Sequence, residues 1–249
     1  MNIILVTKED FTSQNSTQLN GSLVLIGTVI LNDRRFKHIK EVHKAEAGDK
    51  LRVGILHGNT GLGKVIEISE KSVTLELSLT DEPLKPLPLT LILALPRPKM
   101  LKRILQSAAS LGVAEIYLIN SYKVDKSYWS SPVLSEDSLN EHLQLGLEQG
   151  ISTQLPKIHL RKRFKPFVED ELGAIAKGSE KLVAHPYNAS PCPIAVDQST
   201  TLIIGPEGGF IEYEINKLCE IHFQTISLGK RILRVETAIP FAIAKLFSS

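Results

Sequence analysis

The sequence predicts an α/β domain with a mostly parallel sheet, preceded by a small β-barrel. Composition changes at DEPLKPLPL, where Pro83, Pro86 and Pro88 stiffen a short extended linker. Before it, SLVLIGTVI, KLRVGILHG, GKVIEIS and SVTLELSL are short, β-branched and punctuated by Gly, Asn and Asp. After it, apolar strand-like runs alternate with segments of helical spacing, the rhythm of βαβ units.

In the first part only FKHIKEVHKA has helical spacing, and several short strands in about 80 residues suggest a barrel. In the second, LTLILAL (89–95) is a continuous apolar run, as in a strand covered on both faces. In PKMLKRILQSAASLG, Leu101, Ile104, Leu105, Ala108 and Leu111 make one helical face, with Gly112 placed to end it. EIYLIN follows as a strand and SLNEHLQLGLEQ as a helix. KIHL, KLVAH, TLIIG and TISLG read as further strands, with the helix IEYEINKLCEIH between the last two. AIPFAIAKLF is apolar nearly all round and reads as a buried helix from near Glu236. Pro240 then falls in its first turn, where amides lack intrahelical partners.

At 249 residues, 43% hydrophobic and 22% charged, the chain can bury sizeable cores and is not of disordered composition. A formal net charge of +2 means that a polyanion must be met by local clusters, not by total charge. Cys192 and Cys219 are too few for a disulfide framework, which points to a reducing compartment. MNIILVTKED lacks a signal peptide's long apolar core, and no stretch approaches the roughly 20 apolar residues of a membrane span. A soluble, cytoplasmic protein is expected.

Residues 58–64, GNTGLGK, match the spacing of a phosphate-binding P-loop. Val65 stands where a magnesium-ligating hydroxyl is needed, and VIEIS continues as a strand instead of opening a helix. A hairpin turn is expected there. No G-x-G-x-x-G follows a predicted strand, and the seven histidines fall in no metal-ligand spacing, so neither a dinucleotide nor a metal is expected. GPEGG (205–209) lies between the strand TLIIG and the next helix. Glycines serve tight turns anywhere, but ligands of open α/β sheets bind at the carboxyl ends of strands. SLGKRILRVETA follows the next strand, so two such edges converge near the end of the chain.

Cations cluster three times. Arg34, Arg35, Lys37 and Lys40 lie in the barrel part, Arg97, Lys99, Lys102 and Arg103 at the start of the first α/β helix, and RKRFK at 161–165. Charge runs are usually solvated faces. The interleaved aromatics Phe36 and Phe164 suit RNA, whose phosphates and exposed bases would meet both groups.

LIIGPEGG paired with SLGKRILRVETA, one strand apart, resembles the SPOUT methyltransferases, and most closely the RsmE-type 16S rRNA (uracil-N3) methyltransferases. FKHIKEVHKAEAGDKLRV is similar to that family's PUA-like barrel, and RPKMLKRILQSAASLGV, LGLEQ and LVAHP are similar to further family segments. The resemblance implies a PUA-like barrel over residues 1–78 and a methyltransferase domain with a C-terminal trefoil knot over 79–249. It also implies S-adenosyl-L-methionine as methyl donor, a homodimer, and 16S rRNA of the small ribosomal subunit as substrate. The donor would be held by His185 and Pro186, by Gly205, Pro206, Glu207, Gly208 and Gly209, and by a third loop running through Leu228, Gly229, Ile232, Leu233, Arg234, Thr237 and Ala238. Arg34, Arg35, Lys37, Arg97, Lys99 and Lys102 would contact RNA. The chain departs from the family at Val235, where Thr is usual, at GIST after Gln149, and at the helix end Ala109–Gly112.

Uracil N3 holds a proton at neutral pH. Arg234 is the expected stabiliser of the ring anion, and Glu236 or Glu207 the expected base. Alternatively, Glu236 caps the last helix and Arg234 pairs with it. Methylation of ribose 2′-OH or of another RNA, and a non-catalytic RNA-binding assembly role, are the competing functions.

Overall fold

The computed structural model describes residues 2–19 and 22–248. The chain divides into two compact units, Met1–Lys85 with Leu147–Leu155, and Pro86–Gly146 with Pro156–Ser249.

The first unit holds β1 (Ile4–Val6), β2 (Phe11–Leu19), β3 (Ser22–Leu31), α1 (Arg34–His38), β4 (Lys50–Ile55), β5 (Thr60–Ile68) and β6 (Val73–Asp81). The strands form one sheet in the order β1-β4-β5-β6-β3-β2, antiparallel except for the β1–β4 pair. Val73, Leu75, Leu77 and Leu79 alternate inward along β6 and meet Ile4, Val29, Leu31, Val53 and Val65 in one core, with Phe11 of β2 packed against it. All six strands serve that cluster, so the sheet must curl around it, as a barrel-like sheet does.

The predicted helix FKHIKEVHKA is divided. α1 is capped by Asp33, whose carboxylate accepts from the Arg35 amide, and it runs into a π-wound turn, Ile39–His43. GNTGLGK is the expected hairpin between β4 and β5, closed by Gly58 N–H to Ile55 O (2.8 Å) and Ile55 N–H to Asn59 O (3.0 Å). Its glycines are required by packing. A Cβ at Gly61 would collide with the Ser78 carbonyl where β5 bulges against β6, and one at Gly63 would press on Val53.

The second unit holds β7 (Leu87–Ala94), α2 (Pro98–Ser110), β8 (Val113–Ile119), most of α3 (Glu136–Gly150), β9 (Lys157–Arg161), β10 (Glu180–Ala184), β11 (Ser190–Pro191), β12 (Thr200–Ile204), α6 (Glu212–Glu220), β13 (Gln224–Ser227) and α7 (Val235–Leu246). Between β9 and β10 lie the short helices α4 (Phe164–Pro166) and α5 (Gly173–Ile175), joined by a π-wound stretch, Phe167–Leu172. The sheet order is β11-β13-β10-β12-β7-β8-β9, and each pairing is parallel. The apolar run of β7 is buried, as are all five residues of β12, which suits central strands of such a sheet. α2 buries Leu101, Ile104, Leu105 and Ala108 as the spacing predicts. Leu111 is exposed, because the helix ends at Ser110 and Gly112 (φ +81°) turns the chain away.

Two expectations are corrected. α7 starts at Val235, so Pro240 is its sixth residue, beyond the first turn, and its missing N–H leaves the Glu236 carbonyl without the i+4 donor. The segment RKRFK is not a bare basic run. Phe164 begins the helical stretch after β9 and is buried, with its ring centroid 6.1 Å from that of Phe210, and Phe36 is buried in the first unit's core. Neither aromatic is available to stack on a base.

Candidate functional site

β13, β10 and β12 are neighbours in a parallel sheet, so their carboxyl ends share one edge. The three loops that leave them therefore emerge side by side at the position where such sheets bind ligands. His185 carries the ladder one residue past β10 by donating its N–H to Ile226 O (2.9 Å). Its imidazole is half-buried, and that burial lowers its pKa, which keeps the ring uncharged at neutral pH. Tyr187 stands edge-on to it, with centroids 5.9 Å apart, and Pro186 is exposed.

After β12 the chain makes a tight turn in which Gly209 N–H donates to Pro206 O (2.8 Å). Each glycine there answers a different demand. A Cβ on Gly205 would lie 3.0 Å from the buried Phe210 ring, while Gly209 adopts φ +70°, which disfavours side chains on torsional grounds alone. Gly208 is bare because the stem of Lys123 crosses it. A Cβ would come within 2.9 Å of the Lys123 Cδ, and the Lys123 ammonium donates to Gly208 O at 2.7 Å. Glu207 pairs with Arg97, which follows β7, at 3.0 Å. Both side chains are well exposed, so the pair stabilises by less than about 1 kcal/mol.

The third loop passes Leu228 and Gly229 (φ +139°) to exposed Ile232, half-buried Leu233 and exposed Arg234. The Arg234 carbonyl accepts from Thr237 N–H (2.9 Å) and Ala238 N–H (2.8 Å), opening α7. Thr237 is exposed and Ala238 buried. Among the described residues the Arg234 guanidinium has no ion-pair partner, so the alternative reading in which it pairs with half-buried Glu236 is not what forms. An added Cβ at Gly209 or Gly229 meets nothing within 4 Å. Two of the loops thus present bare backbone to open space, as a site for a ligand rich in polar edges requires.

Lys99 and Lys102 are exposed on α2, and Lys37 is exposed in the first unit. Arg35 is a correction, and Arg34 is half-committed to the protein itself. Arg35 is only 13% exposed and gives its guanidinium to Asp10, to Asp33 and to the Leu5 carbonyl, with ion-pair distances of 2.7 Å. No donor is left for a phosphate. Arg34 makes a bidentate pair with Glu148 (2.7 and 2.8 Å), whose carboxylate is 2% exposed. Glu148 belongs to the segment Leu147–Leu155, which returns to the first unit, and its carbonyl also accepts from Asn2 and Ile3 N–H. Both arginines hold structure together.

Glu214 escaped the sequence reading. Buried in the first turn of α6, its carboxylate accepts from Ile211 N–H (3.0 Å), Ser121 Oγ (3.2 Å) and Tyr122 N–H (2.8 Å). It binds the loop after β8 to the chain leaving the glycine turn. With Ile211 at the cap position there was no Ser/Thr-x-x-Glu signature to mark it. Among the described residues no group of three or more His, Cys, Asp or Glu side chains could hold a metal, and no helix is long and apolar enough to cross a membrane.

A family model described as an RNA methyltransferase domain matches residues 83–247, and one described as an RNA methyltransferase PUA domain matches residues 31–78. The chain is 30% identical over 254 residues to the ribosomal RNA small subunit methyltransferase E of Treponema pallidum, covering 100% of this chain and 91% of that protein. It is 28% identical to ribosomal RNA small subunit methyltransferase E 1 of Borreliella burgdorferi, over 96% of this chain and 94% of that one. The crystal structure of a ribosomal RNA small subunit methyltransferase E from Neisseria gonorrhoeae, bound to S-adenosyl methionine, is similar with a TM-score of 0.73. At 21% identity over 98% of this chain and 95% of that chain, this likeness shows a common fold.

Proposed function

The chain belongs to the ribosomal RNA small subunit methyltransferase E family, and from that premise we propose that it methylates N3 of a uridine in 16S rRNA of the small ribosomal subunit, using S-adenosyl-L-methionine. The observation that carries this reading is the convergence of three loops, after β10, β12 and β13, on one sheet edge, with bare backbone at Gly209 and Gly229 beside open space.

When bound, the cofactor supplies an electrophilic methyl on a cationic sulfonium. His185, Pro186, the turn Gly205–Gly209 and the loop from Leu228 to Ala238 would hold it. His185, uncharged at neutral pH through burial, adds no positive charge to the loop after β10, as a site for a cation requires. Arg234, exposed and without an ion-pair partner among the described residues, stabilises the negative charge that spreads over the uracil oxygens when N3 loses its proton. Glu236, in the first turn of α7, or Glu207, in the glycine turn, is the base that takes the N3 proton. Lys37, Arg97, Lys99 and Lys102 supply phosphate contacts.

This reading also includes a trefoil knot formed by the C-terminal loops, a cytoplasmic location, and a homodimer. The dimer is supported by α7. It buries Val235, Ala238, Ile239, Ala242, Ile243 and Leu246 within the chain yet leaves a second apolar side, half-buried Pro240 with exposed Phe241 and Ala244, at the surface.

The test is mass mapping of methylated nucleotides after incubating the enzyme with labelled donor and either small subunits or their RNA. A methyl on uracil N3 is expected, with no reaction of free uridine. A methyl on ribose oxygen, or equal activity on free uridine, overturns the proposal.

A further inference from the structure

The two aromatics that the sequence placed among the cations, Phe36 and Phe164, are core residues. Among the described residues three exposed rings lie on this side of the sheet, Tyr122 (78%), Tyr187 (64%) and Tyr213 (47%), and Tyr122, in the loop that follows β8, is the most exposed of them. An exposed ring is ordinary where its loop is loose, but here the backbone beneath it is held on both sides. Tyr122 N–H and Ser121 Oγ bind the carboxylate of Glu214, which is 2% exposed. On the other side the Lys123 ammonium binds the Gly208 carbonyl. Further along, Trp129 Nε1–H donates to Asn120 Oδ1 (2.9 Å), and Asn120 N–H donates to Arg161 O (2.9 Å), tying this loop to the one after β9.

The parallel sheet sets the charge around the ring. The loops after β8 and β9 leave the same edge as the three candidate cofactor loops, and they carry exposed Lys123, Lys126, Lys162 and Arg163. A solvent-facing ring on an anchored backbone, with cations in its own loop and in the loop after the neighbouring strand, meets what a single-stranded nucleic acid offers: a flat base and a row of phosphates.

We infer that Tyr122 is a stacking platform for a base of the RNA strand next to the methylated nucleotide, held in register with the glycine turn by Lys123 and Glu214. The inference rests on the RNA-methyltransferase reading and adds a subsite to it. Lys162 and Arg163 track the phosphates of the same strand. Lys123 is a positioning residue, since its ammonium is engaged with Gly208 O.

Binding and transfer are to be measured separately, with small subunits and with their deproteinised RNA as probes. Tyr122→Ala should weaken RNA binding about ten-fold, the loss of one stacked base, while cofactor affinity and the salt slope of RNA binding stay unchanged. Tyr122→Phe and Tyr122→Trp should bind like the wild type, since they keep a face to stack on. Wild-type affinity in Tyr122→Ala, or a loss in Tyr122→Phe equal to that in Tyr122→Ala, overturns the platform. A wild-type protein that binds RNA and loses affinity on Tyr122→Ala, yet transfers no methyl, sinks the reaction assignment and leaves the platform standing. Absence of RNA binding by the wild type overturns both.

Discussion

At Gly209 the backbone turns at φ +70° with open space where a Cβ would stand, so a side chain there is opposed by torsion alone, at about 1–2 kcal/mol. Gly209→Val should therefore lower the thermal unfolding midpoint by only several degrees, about 2–4 °C per kcal/mol, and abolish measurable cofactor binding in calorimetry, because the relaxed turn no longer presents its backbone. Arg234→Ala should lower the single-turnover methyl-transfer rate about 100-fold or more, the scale of losing one charge-stabilising donor, with RNA affinity nearly intact. Arg35 behaves differently. Its removal strands Asp10, 14% exposed, and should cost about 3 kcal/mol in chemical denaturation without touching the salt dependence of RNA binding. Burial alone would raise the Asp10 pKa, but hydrogen bonds from Arg35 and the Thr7 amide outweigh it and hold the carboxyl below its usual value. The folded protein then binds fewer protons than the unfolded one, so this contribution is complete above about pH 4 and lost as pH falls through the folded value. Asp10→Asn should flatten the acid limb of the stability profile.

Elements were legible where local periodicity carried them, as in β7, α2 and β12. What local periodicity does not contain is which backbone lies against which. Gly146, inside α3, looks like a weak point in a helix. A Cβ there would collide with the Gln106 carbonyl of α2 and press on Ala109. Ala, a better helix former by about 1 kcal/mol, should thus destabilise the protein by roughly 1–3 kcal/mol, read as a lowered denaturation midpoint. The same holds at the start of α7. Residue types placed the helix correctly to within a residue, but the Arg234 carbonyl, accepting two amides, moves the first turn so that Pro240 lies beyond it.

For the whole molecule, association is the measurable quantity. Sedimentation at micromolar concentration should give about twice 27.5 kDa, and Phe241→Asp should return the species to 27.5 kDa by charging the exposed apolar side of α7. Lys162→Ala and Arg163→Ala should each reduce the slope of log affinity against log salt by about 0.7, as for single-stranded phosphate contacts.

The sequence by itself determined the longer strands and helices from β3 onward, a break within the proline-rich linker, and the two glycine-bearing turns near the C-terminus, but not β1, β2, β11, the short helices between β9 and β10, or the return of Leu147–Leu155 to the first unit. Each feature it determined rests on interactions within a few residues, where spacing and torsional preference act directly. Only the tertiary structure decided that Arg34 meets Glu148, 114 residues away, and that Arg35 spends its guanidinium on Asp10, Asp33 and the Leu5 carbonyl instead of a phosphate. It decided likewise that Lys123 runs beside Gly208, and that Tyr122 is exposed while Phe36 and Phe164 are core. A charge or a ring is defined by its partner. When that partner arrives from a distant segment, no local pattern records it.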